Sequence, residues 1–189
     1  MKLVADAWST AGRQHAACED AAAVTDDGAL AVVCDGCSSS ALTHVGAQLL
    51  ARGAVLGHGV DRVEAWRASL QLPVEALDAT RLTAHSEGGQ LTVTVAGDGG
   101  FAVRRRDTGD LRWWRVVCPS GAPPYPAYRL DPARLAGWRA AYGDAREVHA
   151  ETPAGLVEVT DAPGFDPLVW RFDWGDIDLV ALFSDGVDQ

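Results

Sequence analysis

Hydrophobic positions change their spacing twice along the chain, and each change marks a different kind of element. Lys2 to Trp8 reads as a first strand and Ser9 to Cys18 as a loop. Two short apolar runs follow, Ala21-Ala22-Ala23-Val24-Thr25 and Ala29-Leu30-Ala31-Val32-Val33-Cys34, separated by Asp26-Asp27-Gly28. An Asp-Gly pair between strand-like runs is a strong hairpin signal. With the centre of the turn near Asp27, facing positions add to about 54 or 55. Glu19 and Asp20 then fall opposite Asp35 at the open end.

Leu42, Val45, Leu49, Leu50 and Leu56 lie close to helical spacing and predict a helix over about 41–57, with the Ser38-Ser39-Ser40 hydroxyls as N-caps. A second helix is expected over Val60 to Leu70, stopped before Pro73. From Leu77 the period returns to two. Leu77 to Ala84 and Leu91 to Ala96 read as strands joined by Ser86-Glu87-Gly88-Gly89, and Phe101 to Arg106 and Leu111 to Cys118 continue them as a meander. Pro119 to Tyr128, with four prolines and two tyrosines, reads as a surface flap. Asp131-Pro132 opens a short helix through about Tyr142. Strands near Val148, Leu156 to Val159, Leu168 to Phe172 and Ile177 to Ser184 follow. Meandering strands, two consecutive helices and one later helix imply an α+β layered sandwich rather than a parallel βαβ wind.

Composition narrows the function classes. A chain of 189 residues with 48% hydrophobic and 22% charged content is globular and of a length for one domain. No apolar run reaches the ~20 residues of a membrane helix, and the N-terminus lacks the layout of a signal peptide. A soluble, cytoplasmic protein without a membrane partner is expected. The net charge of -10 disfavours nucleic acid, which is held by clustered Lys and Arg. Arg104-Arg105-Arg106, the sole basic run, reads as a solvated strand end. Cys18, Cys34, Cys37 and Cys118 make no disulfide framework in such a chain. Cys34-Asp35-Gly36-Cys37 has the spacing of a redox pair or half a zinc site, but small buried thiols are the plainer reading.

Candidate chemistry lies in the acids. Glu19-Asp20, Asp35-Gly36, Gly97-Asp98-Gly99 and Ser184-Asp185-Gly186 each stand beside an apolar strand. An Asp there points into the crevice at the sheet end, and an adjacent Gly lets the backbone bend and expose its carbonyl. Any single Asp-Gly is also an ordinary turn. Carboxylates within ~4 Å repel by about 4 kcal/mol at an effective dielectric of 20, so several gathered together need protons or cations. An all-oxygen donor set suits Mg²⁺ or Mn²⁺, and two such ions can activate a shared water against phosphorus.

At these residues the sequence resembles the protein phosphatase 2C type of metal-dependent serine/threonine phosphatases. The segments that carry the resemblance, in order, are Cys18-Glu19-Asp20-Ala21, Val33-Cys34-Asp35-Gly36, Val45-Gly46-Ala47, Val95-Ala96-Gly97-Asp98 and Leu182-Phe183-Ser184-Asp185-Gly186. Gly12-Arg13-Gln14-His15 and Asp35-Gly36-Cys37-Ser38-Ser39-Ser40 look more like a bacterial and phage branch. The resemblance implies a four-layer αββα sandwich, two mainly antiparallel sheets face to face with helices outside. It implies that Asp35 bridges two metals, Gly36 offers its carbonyl, Glu19 binds one metal with Asp20 supporting it, and Asp185 binds the other. Asp98 would help hold a weaker third ion. Arg13 is the candidate phosphate clamp, or else an ordinary loop Arg. The implied substrate is a phosphorylated protein.

Four positions depart from the family. Cys37 stands where many relatives carry a His, so His15 or His44 is left to act as acid, each also readable as a structural His. Asp78-Ala79-Thr80 stands where a Gly and hydroxyl residues are usual, and Asp188 comes one place early. The chain reaches Gln189 without the family's last helix, strand and Asp-Asn ligand motif, so weaker metal binding is expected. The competing readings are a catalytically silent domain that binds a partner, and a thiol protein acting through Cys34 and Cys37.

Overall fold

The computed structural model describes residues 5–7 and 18–185. Its ten strands form two five-stranded antiparallel sheets. The first has the order β1 (Asp20–Val24), β2 (Leu30–Asp35), β3 (Arg81–Glu87), β4 (Gln90–Ala96) and β9 (Leu168–Asp173). The second has the order β10 (Ile177–Phe183), β5 (Gly99–Arg105), β6 (Leu111–Val117), β7 (Glu147–Thr152) and β8 (Gly155–Asp161). The helices are α1 (Thr43–Val55), α2 (Val60–Ser69) and α3 (Pro132–Tyr142). The architecture is α+β, two sheets face to face with helices outside, as expected.

Alternation along β2 explains the layering. Val32 and Cys34 point to one face, where Ala47, Leu50 and Ala51 of α1 and Val63 of α2 cover them. Val33, on the other face, joins the core between the sheets with Leu82, Val93, Val95, Phe101 and Val116. Two kinds of packing result. Between the sheets, Phe101 stacks on Trp114 at 4.9 Å and tilts against Trp170 at 4.9 Å. Under the helices small residues allow close approach: a Cβ at Gly46 would lie 1.6 Å from the Ala76 carbonyl oxygen.

Several local expectations change. The meander divides at Gly97-Asp98-Gly99, because β4 and β5 lie in different sheets. Both glycines have positive φ, 99° and 107°, which lets the chain pass between the layers. Leu77 to Ala84 is not one strand: a 3-10 turn over Val74–Leu77 precedes β3. The N-cap of α1 is Leu42, without a side-chain bond, and the serines do not cap it. Of the expected strand Lys2 to Trp8, Ala5–Ala7 carries no regular element and the rest lies outside the described residues.

The largest correction concerns Pro119 to Tyr128, which is no surface flap. Pro123 through Ala127 are buried, and Pro126–Leu130 forms a 3-10 turn leading into α3. Prolines bring low conformational entropy and no N–H to satisfy, so this irregular segment can be buried cheaply. Trp138 of α3 donates its Nε1–H to the Ala122 carbonyl at 3.0 Å and holds it down. Asp131 caps α3 as expected, accepting from the Ala133 and Arg134 amides.

Candidate functional site

The β1–β2 hairpin sets the first pair of acids. Its register places Asp20 directly opposite Asp35, and the Gly36 amide donates to the Glu19 carbonyl at 3.1 Å. Gly36 is needed for this approach, since a Cβ there would lie 2.8 Å from that carbonyl oxygen and 3.0 Å from Thr43. The segment before β3 grips the same turn from the other side. Thr80 N–H donates to the Asp35 carbonyl and Cys37 N–H to the Asp78 carbonyl, both at 2.8 Å.

The second pair comes from the other sheet. Asp98 lies in the passage between β4 and β5, and Asp185 follows the end of β10. Ser184, 8% exposed, donates its hydroxyl to Asp20 Oδ2 at 3.1 Å and ties the two sheets together at this end. Asp35 is pushed up to about 10 by burial, by the charge of Asp20, and by hydrogen bonds with the Asp20 and Asp185 carboxyls. Burial and the charge of Asp185 push Asp98 up to about 7.

Four of the sequence-predicted acids, Asp20, Asp35, Asp98 and Asp185, therefore meet at one end of the sandwich. Glu19 arrives with its backbone at Gly36. Arg13 and His15 lie outside the described residues. As a donor set the site is all oxygen and strongly like-charged, which fits a hard divalent cation in chemistry. Among the described residues no group of three or more His, Cys, Asp or Glu side chains is disposed to hold a metal ion.

Thr80, Cys37 and Cys118 complete the surroundings, with Tyr125, which the sequence did not single out. Thr80 Oγ1 is buried beside Gly97 and has no hydrogen-bond partner among the described residues. Tyr125 is 8% exposed, and its hydroxyl is pushed up by burial and by the neighbouring Cys37 thiol, and to a lesser degree by Asp98. Burial raises the Cys37 thiol too, but interactions with Ser39, Tyr125 and Ser40 outweigh it and leave the thiol lowered. Cys118 is pushed up to about 12 by burial and Asp98. Only the aromatic content of 119–128 hinted at Tyr125; nothing in the chain order links it to Cys37.

No known family's sequence model matches the chain, and no curated protein matches it in sequence. Solved structures do match. Serine/threonine phosphatase Stp1 from Staphylococcus aureus superposes with a TM-score of 0.53 at 13% identity, covering 96% of this chain and 76% of that one. A bacterial serine phosphatase gives 0.53 at 14% identity, covering 96% and 78%. The chain shares its fold with bacterial serine/threonine phosphatases. Among the described residues no helix is long and apolar enough to cross a membrane.

Proposed function

We propose that this chain is a metal-dependent phosphatase acting on phosphoserine or phosphothreonine in proteins. The observation that carries the reading is Asp35, interacting with Asp20 from its own sheet and Asp185 from the other. A fold has no structural need to collect carboxylates this way, because each one raises the cost of ionising the next. The shared fold with bacterial phosphatases supports the same reading.

In this reading Asp35, Glu19 with Asp20 in support, and Asp185 would hold two Mn²⁺ or Mg²⁺ ions, and Asp98 would help hold a weaker third. Bound there, the ions supply a water of lowered pKa and a clamp on phosphoryl oxygens. The chain's own part is to orient. Ser184 holds Asp20, the Thr80 and Cys37 amide bonds fix the Asp35 turn, and Arg13 would hold the phosphate by two hydrogen bonds. His15 or His44 would protonate the leaving alkoxide.

Hydrolysis of a generic aryl phosphate with Mn²⁺, with and without chelator, tests this. Turnover that chelator abolishes is expected. Chelator-insensitive turnover removes the two-metal reading, and no turnover at any metal concentration favours a silent, partner-binding domain with the same fold.

A further inference from the structure

The pairing of β2 with β3, from Leu30 opposite His85 to Val33 opposite Leu82, keeps its register as far as the bridge between Gly36 and Ala79. Thr80 therefore stands directly opposite Asp35, and its N–H donates to the Asp35 carbonyl at 2.8 Å. On the other side Arg81 pairs with Ala96 of β4, so Thr80 comes beside Gly97. Side chains alternate along a strand, and Val33, Leu82 and Val95 belong to the core between the sheets. Two residues further along their strands, Asp35, Thr80 and Gly97 share that face, and Asp20 joins the row through its pairing with Asp35. Asp35 thus has an acid on one side and a hydroxyl on the other.

Thr80 is 2% exposed, and its Oγ1 has no hydrogen-bond partner among the described residues. The other buried side-chain atoms in that position are single nitrogens of Arg112, Arg134 and Arg146, whose guanidinium groups pair through their remaining nitrogens. Thr80 has no second polar group to pair through. A buried hydroxyl without a partner costs stability, and a valine would fill the same space without that cost. Its direction follows from Gly97. A Cβ there would lie 2.7 Å from Thr80 Cγ2 and 2.9 Å from Thr80 Cβ, so the bare glycine is what gives the methyl its room. With the methyl on the β4 side, the hydroxyl sits on a branch of Cβ turned away from β4, and the next side chain on that side of the row is Asp35. Residues directly opposite on neighbouring strands have Cβ atoms about 5 Å apart, so a side-chain rotation brings a threonine hydroxyl to a carboxylate oxygen.

We infer that Thr80 is a positioning residue of the acidic site: its hydroxyl donates to the Asp35 carboxylate when a divalent cation is bound there, and so fixes the orientation in which Asp35 meets the ion. The inference rests on the metal-dependent reading for the cation. Carboxylates that ligate metals are themselves held by hydrogen bonds, and losing such a bond weakens the metal. Asp20 already has its hydroxyl, from Ser184 at 3.1 Å. Thr80 is the hydroxyl placed to do the same for Asp35.

Titration calorimetry of the whole chain with Mn²⁺, set beside urea unfolding in chelator, tests this. The variants are Thr80→Val, which keeps the shape and loses the hydroxyl, Thr80→Ser, which keeps the hydroxyl, and Thr83→Val, the same exchange on the helix-side face of β3. Expected for Thr80→Val is a Kd for Mn²⁺ raised about 10-fold, the lower end of the loss for an outer partner of a metal ligand. Its urea midpoint in chelator should equal or exceed the parent's, because the orphaned hydroxyl is gone. Thr80→Ser gives up the methyl on Gly97 and some stability but keeps a Kd within a few-fold of the parent's, and Thr83→Val leaves the Kd unchanged. A threonine with a merely structural role would instead lose stability with or without the ion. An unchanged Kd in Thr80→Val, a lowered midpoint or lost fold in chelator, or an equal loss of affinity in Thr80→Ser would overturn the inference. A parent chain that binds no Mn²⁺ brings down the metal-dependent reading and this inference together, whereas equal binding by parent and Thr80→Val removes the inference alone.

Discussion

Asp27-Gly28 and Asp35-Gly36 occupy opposite ends of one hairpin, and the same dipeptide does opposite work in the two places. Asp27 is exposed; it accepts from the Thr25 hydroxyl at 2.6 Å and the Ala29 amide at 2.9 Å, and its carboxyl is lowered, first by the Thr25 bond. Gly28 there has a φ of 70° and closes the turn. Asp35 is largely removed from water, faces other acids, and is raised. Gly36 is required not by its φ but by the Glu19 carbonyl pressed against its Cα. One pair is satisfied by its own neighbours in the chain. The other meets acids from remote parts of the chain, and that difference separates a turn from a site.

The comparison breaks most visibly in activity. Asp35→Asn is expected to remove metal-dependent hydrolysis beyond the ~10–100-fold loss typical for an outer partner of a metal ligand. Circular dichroism and melting should show the fold intact, because the amide replaces a carboxyl that the fold already holds protonated. A variant within a few-fold of the parent would place the chemistry elsewhere.

Stability gives the next largest contrast. Gly36→Ala forces a methyl against the Glu19 carbonyl and Thr43 and should cost ~2–3 kcal/mol, as overpacking does. Gly28→Ala meets only the left-handed backbone penalty of about 1 kcal/mol. Urea unfolding of the two variants measures the ordering, and the reverse order would mean that the acidic end is not tightly packed.

Titration should then run in opposite directions at the two ends. Asp35 and Asp98 are raised in the folded state, Asp98 to about 7. The folded chain keeps protons that the unfolded chain begins to lose near pH 4, so their stabilisation is full below that and declines as pH rises, for Asp98 through about 7. In chelator, the urea midpoint should fall between pH 5 and 8; Asp35→Asn should flatten the fall, and Mn²⁺ should reverse it. Asp27 is lowered, so its contribution is present above the unfolded value and lost as the solution is acidified. Asp27→Asn should therefore give the smallest change, a slight loss confined to neutral pH with hydrolysis unaltered.

How much of this was legible beforehand varied with sequence distance. The register bringing Asp20 to Asp35 followed from the position of Asp26-Asp27-Gly28, because a short turn leaves little freedom in pairing. Most strand and helix identities from Leu42 onward followed from period, and the start of α3 from its Asp131 cap, whereas the serine caps of α1 and the strand start at Leu77 did not hold. The division of the strands into two sheets did not, since β4 and β5 look continuous in pattern and part only where Gly97 and Gly99 turn. The burial of Pro123 to Ala127 was equally hidden: proline-rich composition signals irregular backbone, not whether a neighbour such as Trp138 covers it.

Local chemistry in the sequence by itself determined the hairpin, the capped α3, the alternation that gives each strand two faces, and the acids at strand ends. Tertiary structure alone decided that Asp185 reaches Asp35, that Ser184 bonds Asp20, and that Arg134 clamps Asp78. Short-range features depend on a few adjacent dihedrals, which residue type biases directly. Contacts between remote segments depend on how whole layers pack, and that is fixed by the sum of many weak apolar contacts that no single residue announces.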